Sequence, residues 1–179
     1  MRFTIIFFFA LIFCPLSITG AAFAKLSPPA VGGTLPKIIL TVPGDIELQQ
    51  YLGLAGKKTF SIPEIKAEIV LIEIFSMYWP FCQKEAPSVN EMFRKIESDN
   101  SLKDKVKLIG IGVGNSKFEV EYFKKVYNIP FPLFPDGDFA IHKKLGEVRT
   151  PYFIGLQNLA NGGHRIFYSK LGGARDADT

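Results

Sequence analysis

The sequence predicts an α/β domain with a central mixed sheet flanked by helices. Three observations predict it. Nearly continuous apolar runs rich in β-branched residues stand at Ile69–Phe75 and Val106–Val113, an amphipathic segment follows each run, and two short strand-like stretches flank Asn161-Gly162-Gly163. Runs that are apolar at successive positions suit strands covered on both faces, as parallel sheets require. A glycine-rich turn between two such stretches signals an antiparallel hairpin. The order is strand–helix–strand–helix, then a hairpin, with no internal repeat and no second domain.

Composition narrows the function. The 179 residues are 47% hydrophobic and include 17 Phe, which excludes a disordered chain because so much apolar surface collapses. The formal charge is +4 and no long block of like charge occurs, so no nucleic-acid partner is expected.

Residues 1–24 read as a cleaved export signal. Arg2 supplies the charged start, Ile5–Cys14 the apolar run, and Ala22-Phe23-Ala24 the small-residue cleavage site before Lys25. Pro15, Ser17, Thr19 and Gly20 interrupt the run short of the roughly 20 apolar residues that span a membrane. The protein is therefore expected in the periplasm or another extracytoplasmic space, with no stable membrane span after cleavage. Residues 25–34, rich in Pro, Ala and Gly, read as a flexible leader, and 35–179 as the domain. Loss of Arg2 lowers the formal charge from +4 to +3, and loss of Cys14 leaves one of two cysteines, Cys82. One thiol cannot close an internal disulfide. Cys82 is then a buried hydrophobe, a reactive thiol or a site of intermolecular crosslinking.

From Leu35 to Lys66, breaks at Pro36, Pro43, Gly44, Gly53, Gly56 and Pro63 predict short strands and turns. Ile69–Phe75 is the first buried strand. A helix follows over Pro80–Ser98, with Pro80 at the first helical position, where its missing N–H costs nothing. Phe81, Val89, Met92, Phe93 and Ile96 recur at helical spacing, and Pro87 predicts a kink. Val106–Val113 is the second buried strand, and Ser116–Tyr127 a second helix with Val120, Phe123 and Val126 inward. Pro130, Pro132 and Pro135 read as a stiff loop, Asp138 as the cap of a short helix to Leu145, and Tyr152–Leu156 with Arg165–Ser169 as the hairpin.

The chemistry gathers between Phe75 and Pro87, where a strand hands over to a helix and α/β sheets place their ligands. Cys82 falls in the first helical turn, whose free N–H groups and positive dipole end favour a thiolate. A thiolate attacks a disulfide or a peroxide. Glu85, three residues on, shares its helical face. Glu73 lies within the apolar strand; a buried carboxyl without a charge partner has a raised pKa and moves protons near neutrality. Thr150-Pro151 precedes Tyr152-Phe153-Ile154, and a cis bond there would leave the preceding backbone open to an extended peptide. Gly110, Gly112 and Gly114 do not make a nucleotide loop, because Asn115 stands where the fingerprint wants glycine; they read as room for close helix packing. His142 and His164 have no cysteine or acid at ligand spacing, so neither a metal nor another cofactor is expected.

Over about Leu35–Lys170 these features together resemble the thioredoxin superfamily, in particular its exported redoxin-type members linked to disulfide reduction and to alkyl hydroperoxide reductases. That resemblance implies a thioredoxin-like fold and thiol chemistry. Trp79-Pro80-Phe81-Cys82 occupies the Cys-x-x-Cys slot, Pro87 the helix kink and Thr150-Pro151 the cis-proline. Glu73 matches the buried acid and Glu85 the acid that follows the motif. Trp79, Pro80, Thr150 and Pro151 would then form the substrate platform, with protein thiols or disulfides, or a peroxide, as partners. The departure is that Trp79 replaces the attacking cysteine, and a lone thiol forms a mixed disulfide without releasing it. Peroxiredoxins, which use one cysteine here, would need proline at position 75 and threonine at 79, where this chain has Phe75 and Trp79; Arg149 alone fits their thiolate-stabilising cation. The expected function is that of a thiol–disulfide oxidoreductase-type protein in cell-envelope redox homeostasis, with Cys82 as its single thiol exchanging with a partner's thiol and Glu73 and Glu85 assisting proton transfer; the alternatives are a one-cysteine peroxidase aided by Arg149 and a non-catalytic binding module that kept the groove. After the hairpin, Gly172 and Gly173 break the chain, and the expected fold lacks the usual C-terminal helix, leaving part of one sheet face uncovered.

Overall fold

The computed structural model describes residues 27–172; the export signal read over 1–24 and the segment after Gly172 lie outside them. The elements in chain order are β1 (Ile39–Thr41), α1 (Ile46–Leu52), β2 (Thr59–Ser61), a 3-10 turn (Ile62–Glu64), β3 (Ile69–Phe75) and α2 (Pro80–Ser98). Then come β4 (Val106–Val113), α3 (Lys117–Val126), β5 (Leu133–Asp136), α4 (Ala140–Lys144), β6 (Tyr152–Asn158) and β7 (His164–Leu171). The main sheet has the order β5-β4-β3-β6-β7, and β1 pairs with β2 in a separate ribbon. Strands β3, β4 and β5 run parallel, while β6 and β7 are antiparallel to their neighbours. β3 is the central strand: Ile72 lies opposite Ile109 of β4 on one side and Ile154 of β6 on the other. Pairing on both edges and cover on both faces is why Ile69–Phe75 is apolar almost throughout.

Alternation along β3 divides the core. Val70, Ile72 and Ile74 face a cluster completed by Leu40, Phe60 and Leu145 from the ribbon and α4. Phe75, with Leu71 packed beside it, faces a second cluster with Cys82, Ala86 and Val89 of α2 and Val120 and Phe123 of α3. Glu73 falls on that second face by the same period of two. Gly112 is what lets α3 approach: a Cβ there would lie 2.9 Å from a Val120 methyl and 3.1 Å from the Phe75 ring. At Gly110 the close neighbour is Leu133 of β5, so only part of the glycine pattern serves helix packing.

The structure corrects several sequence expectations. Leu133–Asp136, read as part of a proline-stiffened loop, is the edge strand β5, and Pro135 is tolerated because an edge strand need not donate on both sides. α1 was not expected; its seven residues are too few to show a helical period, but Asp45 caps it by accepting from the Glu47 N–H at 2.8 Å and Gly53 ends it at φ 66°. The main cap of α4 is Asp136, whose buried carboxylate accepts from Ile141 and His142 N–H at 2.9 and 2.8 Å, while Asp138 reaches only Ala140 at 3.2 Å. Val126 and Phe81 point outward rather than into the core. The described part of the leader is tied to β7: Gly32 N–H donates to the Ile166 carbonyl at 2.8 Å, and Ile166 N–H to that of Gly33 at 2.9 Å.

One side chain stands in for a missing strand. β5 pairs with β4 only over Gly110–Val113, so Leu108 lies beyond its reach. The Tyr51 hydroxyl of α1 accepts from the Leu108 N–H at 2.7 Å and donates to its carbonyl at 3.4 Å. Burial raises the Tyr51 pKa and keeps the donor proton in place. Tyr51→Phe strands both backbone groups, and the loss expected is about 1–3 kcal/mol. Urea unfolding should show a lower midpoint at unchanged slope; an unchanged midpoint would mean that water or a shifted strand serves Leu108 equally well.

Candidate functional site

Position 79 is the N-cap of α2, with extended backbone at φ −93° and ψ 117° and no side-chain cap hydrogen bond. Pro80 holds the first helical position, as its fixed φ favours. The turn that enters the helix is held from three directions. Met77 N–H donates to Asn115 Oδ1 at 2.9 Å, Gln83 Nε2 donates to the Met77 carbonyl at 2.8 Å, and the Tyr78 hydroxyl bonds Glu119 of α3. Ser116 and Glu119 form a reciprocal capping box, so the last of these ties the turn to the start of α3.

Cys82 is fully buried, and its Sγ accepts from the Ser76 N–H at 3.5 Å and from the Thr150 hydroxyl. Thr150-Pro151 is a cis peptide, so the sulfur and this bond lie side by side. Burial pushes the Cys82 pKa up to about 11, the two hydrogen bonds oppose this, and the charges of Glu73 and Glu85 add to the rise. Loss of water is the largest of these influences and opposes the thiolate that a first-turn position favours.

Glu73 behaves as its strand position predicts. It is buried, 3% exposed, and burial with the nearby charge of Glu85 raises its pKa to about 8. Glu85 is half-buried and acts on both groups. Arg149 is exposed and lines the groove beside Thr150.

A groove of about 350 Å³ opens over this junction, lined by Trp79, Phe81, Lys84, Glu85, Arg149 and Pro151, with Thr150 between. Trp79 and Phe81 are 45% and 65% exposed, and their rings lie 5.9 Å apart. Cys82 lies behind Thr150 and does not line the groove. The structure thus brings together Cys82, Glu73, Glu85, Thr150 and Pro151 at one junction, and sets Trp79 and Arg149 on its surface. Sequence reading missed Phe81 and Lys84 as groove residues, although their spacing of three puts them on one helical face. It also missed Asn115, which is fully buried, as the anchor of the turn; an amide just after a glycine-rich strand was the available signal. Among the described residues no group of three His, Cys, Asp or Glu is placed to hold a metal ion.

Neutral Glu73 is the form this fold accommodates. Between pH 4.5 and about 8 the unfolded chain gives up this proton while the folded chain keeps it, so folding stability falls as pH rises through that window. The fall is up to about 1.4 kcal/mol per pH unit from this one group. Glu73→Gln should flatten the profile, gaining on the wild type from pH 5 to pH 8 in urea unfolding. Parallel profiles for the two proteins would show that Glu73 is already ionised at neutral pH.

Comparison with known proteins agrees with this geometry. The profile of the AhpC/TSA family matches residues 40–166. The thiol-disulfide oxidoreductase ResA of Bacillus cereus is 25% identical over 129 residues, a stretch that spans 72% of this chain and 65% of that protein. Among solved structures, the thioredoxin domain of a thiol-disulfide oxidoreductase from Bacteroides vulgatus superposes with a TM-score of 0.58 at 16% identity, covering 80% of this chain and 90% of the other. StoA from Bacillus subtilis gives 0.54 at 22% identity, covering 78% and 90%. The fold is therefore thioredoxin-like, the chain spans 65% of the length of the ResA protein it matches, and it belongs to the AhpC/TSA family.

Proposed function

We propose that this protein is an exported thioredoxin-fold binding module that holds extended segments of partner proteins and does not itself turn over disulfides. One observation carries the reading: the only thiol in the described domain is fully buried with its pKa pushed up to about 11, while an exposed indole stands at position 79, where the family resemblance puts the attacking cysteine. At pH 7 such a thiol is ionised in about one molecule in ten thousand. Exchange also requires the sulfur to meet a disulfide in line, and the groove wall stands between them. The groove itself is intact. It keeps the aromatic pair and the Thr150-Pro151 edge against which an extended peptide is expected to lie. Export rests on the signal-like residues 1–24.

A second reading has one observation in its favour. Cys82 Sγ already receives two hydrogen bonds of the kind a thiolate needs, and Glu73 is close enough to act on it electrostatically. With a partner's thiol and an opening at Thr150, Cys82 would join a mixed disulfide in cell-envelope redox homeostasis. A one-cysteine peroxidase has less support, because Trp79 stands in place of the hydroxyl that orients a peroxide.

Three measurements separate these readings. Iodoacetamide at pH 7 should alkylate Cys82 at least about a hundredfold more slowly in the folded protein than in urea. Dithiothreitol-driven insulin reduction should be absent in the wild type and appear in Trp79→Cys, which restores a second thiol. An unfolded, carboxymethylated polypeptide should shift the fluorescence of Trp79, the one tryptophan in the chain. Wild-type insulin reduction, or alkylation at the unfolded rate, would replace the binding module with thiol exchange. A folded but inactive Trp79→Cys would mean that the motif is misaligned, and an unmoved fluorescence that the groove holds no polypeptide.

A further inference from the structure

The groove carries information about what it selects. Its floor is apolar and aromatic, formed by Trp79, Phe81 and Pro151, which suits one large apolar side chain laid between the two exposed rings. Its charged rim is unbalanced. Lys84 and Arg149 both line it, both are exposed, and among the described residues neither has an ion-pair partner. The opposing carboxylate is Glu85, which is half-buried and bears on Glu73 and Cys82 beneath the groove. Glu73 is neutral at pH 7 and adds no charge from below. Lys84 lies one helical turn after Phe81 on α2, and Arg149 stands next to Thr150 before β6, so the two cations reach the groove from different elements. An arginine fork accepts a carboxylate through two parallel hydrogen bonds, a geometry that an amide or ammonium cannot supply.

From this we infer that the groove selects polypeptide segments in which a large apolar residue is followed closely by acidic residues, the apolar side chain seated on Trp79 and Phe81 and the carboxylates facing Arg149 and Lys84. The inference rests on the binding-module reading and specifies its ligand. Complementary charge at an exposed rim discriminates against the wrong partner more than it adds affinity. A lysine in place of the acid meets like charge from both Lys84 and Arg149.

Trp79 reports on the groove without a label. The probes are three tryptophan-free peptides, acetyl-Ser-Gly-Phe-Asp-Asp-Gly-Ser-amide and its analogues with Asn-Asn or Lys-Lys at the central acidic pair. The aspartate peptide should bind about tenfold more tightly than the lysine peptide, with the asparagine peptide between them. Raising salt from about 50 to 500 mM should narrow the gap. Arg149→Glu and, separately, Lys84→Glu should shrink or reverse it; both positions are exposed, so at least one variant is expected to fold. Equal or reversed preference in the wild type overturns the inference and leaves the binding module standing. Failure of all three peptides while the unfolded polypeptide still moves Trp79 overturns it as well. Failure of every polypeptide overturns both, and if phosphatidylglycerol vesicles alone shift the emission, the surface is a membrane face.

Discussion

At the head of α2 two effects of opposite sign act on one sulfur. The dipole and the free N–H groups of the first turn favour the thiolate, and both are confined to that turn and modest in size. Against them stands the removal of water from Cys82, which has Phe75, Val89 and Phe153 in its cluster and no exposed surface. The carboxyls of Glu73 and Glu85 act in the same direction as the burial. With desolvation in control, the sulfur behaves as a packed apolar group. Thr150 bonds the sulfur, the groove is lined without Cys82, and what the groove presents to solvent is the rings and charges of its lining.

The same junction explains why the groove keeps its shape without a disulfide to brace it. A turn that enters a helix through Trp79 lacks a side-chain cap, and an uncapped start forgoes on the order of 1 kcal/mol. Asn115, Gln83 and the Tyr78–Glu119 contact replace that missing restraint from outside the turn. Two of them belong to the neighbouring β4–α3 unit, since Asn115 follows the buried strand β4 by two residues and Glu119 closes the capping box of α3. Position is thus transmitted from the sheet to the groove through polar contacts, while the two apolar clusters hold the sheet between its helix layers.

Much of this was legible in the chain because the signals were long or local. β3, α2 and β4 were read to the residue, since each carries an uninterrupted period, and Pro80 marks its helix start without ambiguity. The position of Glu73 implied burial and a raised pKa, and both are present. What failed to show has physical reasons. α1 spans fewer than two full turns of pattern, and β5 carries a proline that only its edge position excuses. The state of Cys82 depends on how many neighbours exclude water, which spacing does not encode. Asn115 lies 33 residues after Cys82 in the chain and meets the site only through the β4–α3 crossover.

If Trp79 stands where the family resemblance puts an attacking cysteine, as the proposed function has it, the exchange changes more than redox capacity. In a two-thiol site the exposed sulfur must remain small and open so that a substrate disulfide can reach it in line. Once that requirement is gone, the same exposed N-cap position tolerates the largest side chain available, and an indole offers a broad apolar face at little conformational cost. Here its neighbour Phe81 turns outward as well, although an inward phenylalanine would have added about 1.5–3 kcal/mol to the core. Two aromatic rings left facing water beside an intact groove represent forgone folding energy that association can recover. On the proposed reading, burial of the Cys82 thiol and exposure of the two rings belong together, since both suit contact rather than bond exchange.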